Sequence, residues 1–312
     1  MKAILVRAYG GPEVLEWTEV PAPSPGPGQV LVALKAIGVN PVDYYLHTGT
    51  YTRKLALPYT PGTDAAGIVE SAGAGAAFKP GDRVYVYGAV GGVYAEKAVV
   101  EGDRVYALPS ALTFEQGAAI GVPFATAHRA LFHCGGAKKD ETVLVHGASG
   151  GVGVATVQLA LAAGLTVVGT AGGAEGVAFL RSLGVTRALD HRAPGYLDGV
   201  EADLVIEMLA NLNLNEDLRV LKLRGRVVIV GSRGKLDFDP RATMTKDLTV
   251  RGMSLFNVND AERAALHADL GKGFASGALK PVIGLRFPLA EAAKAHAAVM
   301  GSGARGKIVL LP

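Results

Sequence analysis

The sequence predicts an α/β protein: a doubly wound parallel sheet joined to a separate, discontinuous β domain. Three observations carry that expectation. Residues 143–154, VLVHGASGGVGV, run from an apolar strand through a glycine-rich turn into a segment with small and apolar residues at helical spacing. From there to residue 252, apolar strands alternate with helical segments, the pattern of parallel strands joined by right-handed crossovers. Residues 1–122 instead read as short strands broken by Pro and Gly, and the apolar stretch 307–311 needs a sheet to join, which that first region offers.

Taken in order, the first region is expected to hold strands at 2–7, 29–39, 64–72, 83–86 and 94–99. Residues 21–28, with four prolines and two glycines, make a stiff crossing rather than a flexible linker. Thr113 and Gln116 have the spacing of a capping box, and a helix over 118–132 is expected to kink at Pro123. The domain boundary is set there. The expected division is 1–122, 123–259 and 260–312, the last segment completing the first domain. Strands of the doubly wound part are expected at 143–148, 166–171, 187–190, 203–208, 226–231 and 248–252. Helices at 261–274 and 290–300 and the strand 307–311 close the chain.

The glycine turn has a chemical reading. Ala148, Gly150 and Gly153 hold the three small-residue positions of a Rossmann-type dinucleotide fingerprint, with Ala in place of the first Gly. Small residues let backbone N–H groups approach a pyrophosphate, and the helix that follows points its positive end at that charge. An enzyme selecting NAD places an acid at the end of the second strand; this chain reads Gly169-Thr170-Ala171-Gly172-Gly173 there. Without a carboxylate to repel a 2′-phosphate, NADPH is the expected cofactor. The nearest cations are Arg181, the His191-Arg192 pair and Arg233.

Composition removes several classes. The net charge of +3 and the absence of a clustered Lys/Arg run give no basic stripe for nucleic acid. Arg7 interrupts the N-terminus before a signal peptide or membrane span can develop, and a single cysteine, Cys134, excludes an intramolecular disulfide. A cytoplasmic protein is expected. One cysteine and seven histidines without H-x-x-x-H spacing point to no metal site.

The residues also resemble a known family. Gly10-Gly11-Pro12-Glu13-Val14-Leu15, Gly38-Val39-Asn40-Pro41-Val42, Gly49-Thr50-Tyr51 and Leu57 to Gly62 match it, as do the glycine turn, GTAG at 169–172, IEMLAN at 206–211, VGSRG at 230–234 and LKPVIG at 279–284. Together they are similar to the ζ-crystallin-type, zinc-independent quinone oxidoreductases of the medium-chain dehydrogenase/reductase superfamily, along essentially the whole chain. The resemblance implies a GroES-like β domain beside the Rossmann domain, NADPH as cofactor, and reduction of ortho- and para-quinones. It implies cofactor contacts at Tyr45, at Ser149, Gly150, Gly151 and Val152, and at Gly172, His191 and Asn213. Further contacts fall at Val230, Gly231, Ser232 and Arg233, and at Ser254, Leu255 and Phe256. Relatives carry a Lys at the place of Gly176, a departure that leaves the NADPH preference to His191, Arg233 and the missing acid. Asn40 and Thr63 stand where a zinc-dependent relative carries catalytic Cys and His.

Asn40, Tyr45 and Tyr51 are the candidates for the substrate side, Asn40 as donor to a quinone oxygen as charge develops there. A quinone is already a strong acceptor, so the protein's task is to hold the nicotinamide C4 against it in a water-poor cleft. Residues alone do not separate one-electron from two-electron transfer, nor a quinone reductase from an enone or 2-alkenal reductase. AU-rich RNA binding, known among ζ-crystallin relatives, is a third reading, and would fall steeply with salt. The resemblance also implies a homodimer or homotetramer, with 249–256 the expected contact.

Overall fold

The computed structural model describes residues 1–312. The chain forms two units, Met1–Val122 with Lys280–Pro312, and Pro123–Leu279. In chain order the first contributes β1 (Lys2–Leu5), β2 (Glu16–Glu19), β3 (Gln29–Val39), α1 (Pro41–His47), β4 (Asp64–Ala72), β5 (Arg83–Tyr87), β6 (Lys97–Glu101), β7 (Val105–Ala107) and the single-turn α2 (Phe114–Gly117). After α3 (Gly121–His128) come β8 (Thr142–Val145), α4 (Gly151–Ala162), β9 (Thr166–Ala171), α5 (Gly173–Ser182), β10 (Arg187–Asp190), β11 (Ala202–Glu207), α6 (Ala210–Val220), β12 (Leu221–Ile229), α7 (Arg241–Met244), β13 (Thr249–Gly252) and α8 (Asp260–Ala275). The first unit then resumes with β14 (Ile283–Pro288), α9 (Ala292–Met300) and β15 (Lys307–Leu311). No helix is long and apolar enough to cross a membrane.

The second unit is a six-stranded, wholly parallel sheet in the order β10-β9-β8-β11-β12-β13. Strand order reverses between β8 and β11, so the carboxyl ends of those two strands flank the place where doubly wound sheets bind ligands. Helix α4 is built of Gly, Ala and Val with almost no polar residue, and Gly153 through Val157 are all buried. A helix apolar on every side belongs inside, and its small side chains let it press against β8. Gly153 is the tightest point, since a Cβ there would overlap the Gly147 carbonyl and Ala148 backbone.

The first unit is a seven-stranded sheet in the order β14-β15-β3-β4-β5-β7, with β6 also paired to β3. The last strand of the chain is therefore interior to the sheet, parallel to β14 and antiparallel to β3. Its core gathers Ile4, Val32, Ile37, Val86, Val100 and Leu310, all at most 1% exposed.

Four expectations are corrected. The boundary at 259 moves to Leu279, because α8 buries Leu266, Leu270 and Phe274 within the second unit, Phe274 meeting Phe124 edge-on at 5.1 Å. The helix expected over 118–132 is α3 followed by a π turn at Arg129–Cys134, and Pro123 lies in the first turn of α3, where a missing N–H costs nothing. The strand at 94–99 shifts to β6, because the amides of Val93 and Tyr94 go to the Pro61 carbonyl. Finally β14, which ends at Pro288, was not foreseen; an edge position tolerates that proline.

Candidate functional site

In the first unit the predicted residue Asn40 is the centre of a buried polar network. It ends β3 and precedes α1, its backbone N–H donating to Asp43 Oδ2 at 2.9 Å as in a capping box. Its Nδ2 donates to Asp64 Oδ2 at 2.9 Å, and its Oδ1 accepts from Lys307 Nζ on β15. Lys307 also donates to Asp64 Oδ2 at 3.0 Å, and Asp64 Oδ1 accepts from the Val122 N–H at 2.7 Å. Gly38 makes this possible: a Cβ there would lie 2.8 Å from Lys307 Cε and 2.9 Å from Asp64 Cβ. Asn40 is only 2% exposed, so the role expected of it, direct donor to a substrate, is corrected to that of a buried strut under α1.

Deeper in the same unit Tyr94 links Asp43 Oδ2 (3.4 Å) to His296 Nε2 (2.9 Å). Burial raises Asp43 to about 7, against the opposing pull of the Asn40 N–H and the Lys307 charge. Burial likewise lowers His296 to about 3, with His47 five ångströms away adding to the effect; the ring centroids are 5.0 Å apart. The chemistry of this set does not fit a metal. Its positive charge is already supplied by Lys307, seated between Asn40 and Asp64 at 4% side-chain exposure.

Tyr45 and Tyr51 are half-buried at the far end of α1. The structure brings them together, since the Tyr45 carbonyl accepts the Tyr51 N–H at 3.1 Å and the Thr50 N–H at 3.1 Å. Both rings thus hang from a turn whose start is anchored by Asn40.

In the second unit Ser149 to Val152 lie at the N-terminus of α4, with Gly150 as N-cap. No side chain caps this helix, so its first amides are available to an anion. At the end of β9, Gly172 caps α5, and Gly173 (φ 77°) donates its N–H to Asp190 Oδ1 at 3.0 Å. The same oxygen accepts from the Arg192 N–H at 3.0 Å, and these backbone bonds hold Asp190 below its ordinary range. The turn so formed swings the Arg192 guanidinium onto the glycines: a Cβ on Gly172 would lie 3.0 Å from Nη2, and one on Gly173 would lie 3.1 Å from Nη1. The neighbouring His191 donates its backbone N–H to the Ala171 carbonyl at 3.1 Å, and burial lowers its imidazole. Only the sequence position of Arg192 had marked it.

Two loops beyond β11 and β12 are laced together. Asn211 Oδ1 accepts the Arg233 N–H at 2.8 Å and the Ser232 hydroxyl at 3.4 Å, while the Val230 N–H reaches the Glu207 carbonyl at 2.8 Å and the Gly231 carbonyl accepts from the Ala210 N–H at 3.0 Å. Asn213 Nδ2 donates to Glu207 Oε1 at 3.1 Å. The Ser254 to Phe256 turn is held by its own Ser254 hydroxyl, which accepts the Phe256 N–H at 3.3 Å, and by Arg129, which donates to the Ser254 carbonyl at 3.3 Å and to Glu262 at 2.8 Å. Phe256 is 49% exposed, unlike a core aromatic. Sequence reasoning missed Asp64, Lys307, Glu207 and Asp217; all four are buried, but the first three are terminal residues of their strands and Asp217 sits in the largely polar α6, so nothing local distinguishes them from solvated charges.

Comparison with known proteins adds the following. Residues 26–110 match the alcohol dehydrogenase GroES-like domain family, and residues 151–268 match the zinc-binding dehydrogenase family. A rat protein named quinone oxidoreductase is 48% identical over 100% of this chain and 98% of its own, and a human one is 47% identical over the same shares. Among solved structures, the Escherichia coli quinone oxidoreductase complexed with NADPH superposes with a TM-score of 0.91 at 29% identity, covering 100% of both chains.

Proposed function

The chain belongs to the quinone oxidoreductase family of the medium-chain dehydrogenase/reductase superfamily, and from that membership we propose that it is an NADPH-dependent quinone reductase. The observation that carries the cofactor is the acid-free end of β9, two bare glycines under the Arg192 guanidinium. A cationic side chain over a strand end without a carboxylate suits a 2′-phosphate, to which its hydrogen bonds are charge-assisted, far better than a neutral 2′-hydroxyl. The residues at the N-terminus of α4 would hold the pyrophosphate. Asn213, Val230 to Arg233 and Ser254 to Phe256 would hold the nicotinamide half. Bound there, NADPH supplies a hydride from its nicotinamide ring.

On the substrate side we assign Tyr45 and Tyr51 as hydrogen-bond donors to the quinone oxygen that gains charge. Asn40 acts through them: capping α1 and clamped by Asp64 and Lys307, it fixes the helix that carries Tyr45 and leads into the turn that carries Tyr51. A quinone needs no Lewis acid, and the Lys307 ammonium seated between Asn40 and Asp64, where a metal ion would otherwise bring the charge, agrees with that. Self-association is assigned to the open edge of β13, whose Thr249, Arg251 and Gly252 are exposed, and the single cysteine suits a reducing cytoplasm.

The test is oxidation of NADPH and NADH by the purified protein with 9,10-phenanthrenequinone, chelator present. Rapid NADPH turnover indifferent to chelator is expected. Absence of turnover with either nucleotide overturns the reading, and a preference for NADH overturns the part built on Arg192.

A further inference from the structure

Beneath the switch point lies a buried cluster that the proposed reaction does not use. His146 follows β8, Glu207 ends β11, and Asp217 sits on α6; the three side chains are at most 4% exposed. His146 Nε2 is 2.8 Å from Asp217 Oδ1 and 3.5 Å from Glu207 Oε2. On its other side, His146 Nδ1 is 3.4 Å from Thr170 Oγ1, which itself accepts the Gly147 N–H of the glycine turn at 3.3 Å. One tautomer satisfies this path: the Thr170 hydroxyl donates to Nδ1, and Nε2–H donates to Asp217. Glu207 Oε1 accepts from the Leu209 N–H and from Asn213 Nδ2, fixing the first turn of α6.

Two oxygens are left over. Glu207 Oε2 and Asp217 Oδ2 are fully buried, and neither has a hydrogen-bond partner. Two ionised carboxylates facing one another beside a neutral imidazole would leave both oxygens orphaned and two charges uncompensated, a cost that burial makes prohibitive. We propose that Glu207 and Asp217 share one proton between Oε2 and Oδ2, completing a hydrogen-bond chain from Gly147 to Asn213 that positions both dinucleotide-binding loops. The chain runs Gly147, Thr170, His146, Asp217, Glu207, Asn213, crossing β9, β8, α6 and β11 in turn.

The electrostatics agree. Burial lifts Glu207 and Asp217 each to about 7, and lowers His146 so that it stays neutral. The other titratable groups bearing on the cluster are Tyr196, its ring 6.4 Å from His146, Glu216 and His191; the two tyrosine and glutamate neighbours bring no positive charge. His146, Glu207 and Asp217 are positioning residues, and the inference rests on the reading that the loops bind NADPH.

The experiment measures NADPH dissociation constants by fluorescence from pH 7 to 9, where the 2′-phosphate is already ionised, together with the infrared carbonyl band of a protonated carboxyl. Wild-type affinity is expected to weaken about tenfold as the shared proton is lost, the worth of one buried hydrogen bond. Asp217→Asn, whose amide donates permanently to Glu207, should flatten that dependence and remove the carbonyl band, whereas Asp217→Leu should weaken binding at every pH. Glu207→Gln gives the same comparison from the other side. Affinity independent of pH with no protonated-carboxyl band overturns the proposal, as does a stoichiometric divalent ion found by elemental analysis. A wild-type protein that shows the band but never binds NADPH leaves the shared proton standing and overturns the cofactor reading instead.

Discussion

At the scale of single residues, Arg192 and Lys307 do different things with one kind of charge. Arg192 is exposed, so its guanidinium is available to a ligand; replacing it with Ala should lower kcat/KM for NADPH by about 10- to 100-fold, the worth of charge-assisted hydrogen bonds, and leave NADH unchanged. Steady-state kinetics with both coenzymes checks this, and an equal loss on both would remove Arg192 from the phosphate. Lys307 is buried against Asp64 and Asn40, so Lys307→Met should strand a carboxylate and cost about 3–5 kcal/mol in denaturant unfolding. An unchanged midpoint would show that Asp64 finds another partner. The two cations differed in legibility. Arg192 stood beside the strand end whose missing acid the sequence displayed, whereas Lys307 read as one more residue of a strand, because its partners lie 243 and 267 positions away.

Elements were legible where local chemistry decides them. The Thr113–Gln116 capping box forms as its spacing predicts, Gln116 N–H to Thr113 Oγ1 at 3.2 Å and Thr113 N–H to Gln116 Oε1 at 3.0 Å. The strands Gln29–Val39, Asp64–Ala72 and Thr166–Ala171 begin and end where apolar runs meet their turn residues. Where tertiary contacts decide, the sequence misled: α3 gives way to a π turn at His128-Arg129 with no Gly or Pro at the junction to mark it, and α8 presents nothing in its own pattern to say which unit it joins. The start of α8 is a local matter again. Asn259 Oδ1 accepts the Glu262 N–H at 2.8 Å, and the same Glu262 accepts from Arg129, so Asn259→Ala should cost about 1 kcal/mol through the lost cap. Thermal unfolding that is unmoved by this change would show that the Arg129 bridge alone holds the helix start.

For the whole molecule, buried titratable groups set opposing pH dependences. Asp43 is raised to about 7 by burial, so its carboxyl favours the folded state fully below its unfolded value near 4 and loses that advantage as pH rises to about 7; Glu207 and Asp217 behave alike. His267 and His296, lowered by burial to about 4 and about 3, act in reverse: their contribution is present above the unfolded value near 6.5 and is lost as pH falls. Between pH 4 and 6.5 the two sets offset one another, and above about 8 neither titrates. Asp43→Asn should therefore gain stability relative to wild type between pH 5 and 8, which urea titrations at those two values would reveal; a constant difference would mean that Asp43 is ionised throughout. The alternation of strands and helices made both layers legible, as did the need of the last strand for a sheet. What stayed hidden was how far inside that sheet the strand goes. Because β14 and β15 both follow the second unit in the chain, that unit can be made while the sheet of the first still stops at β3. During synthesis the ribosome must deliver residue 311 before β3 gains that neighbour, and Lys307 arrives on the same strand. The polar core at the start of α1 is thus completed only after the second unit has been made, and a chain stopped before residue 307 would carry the parallel sheet but no lysine clamp on Asn40 and Asp64.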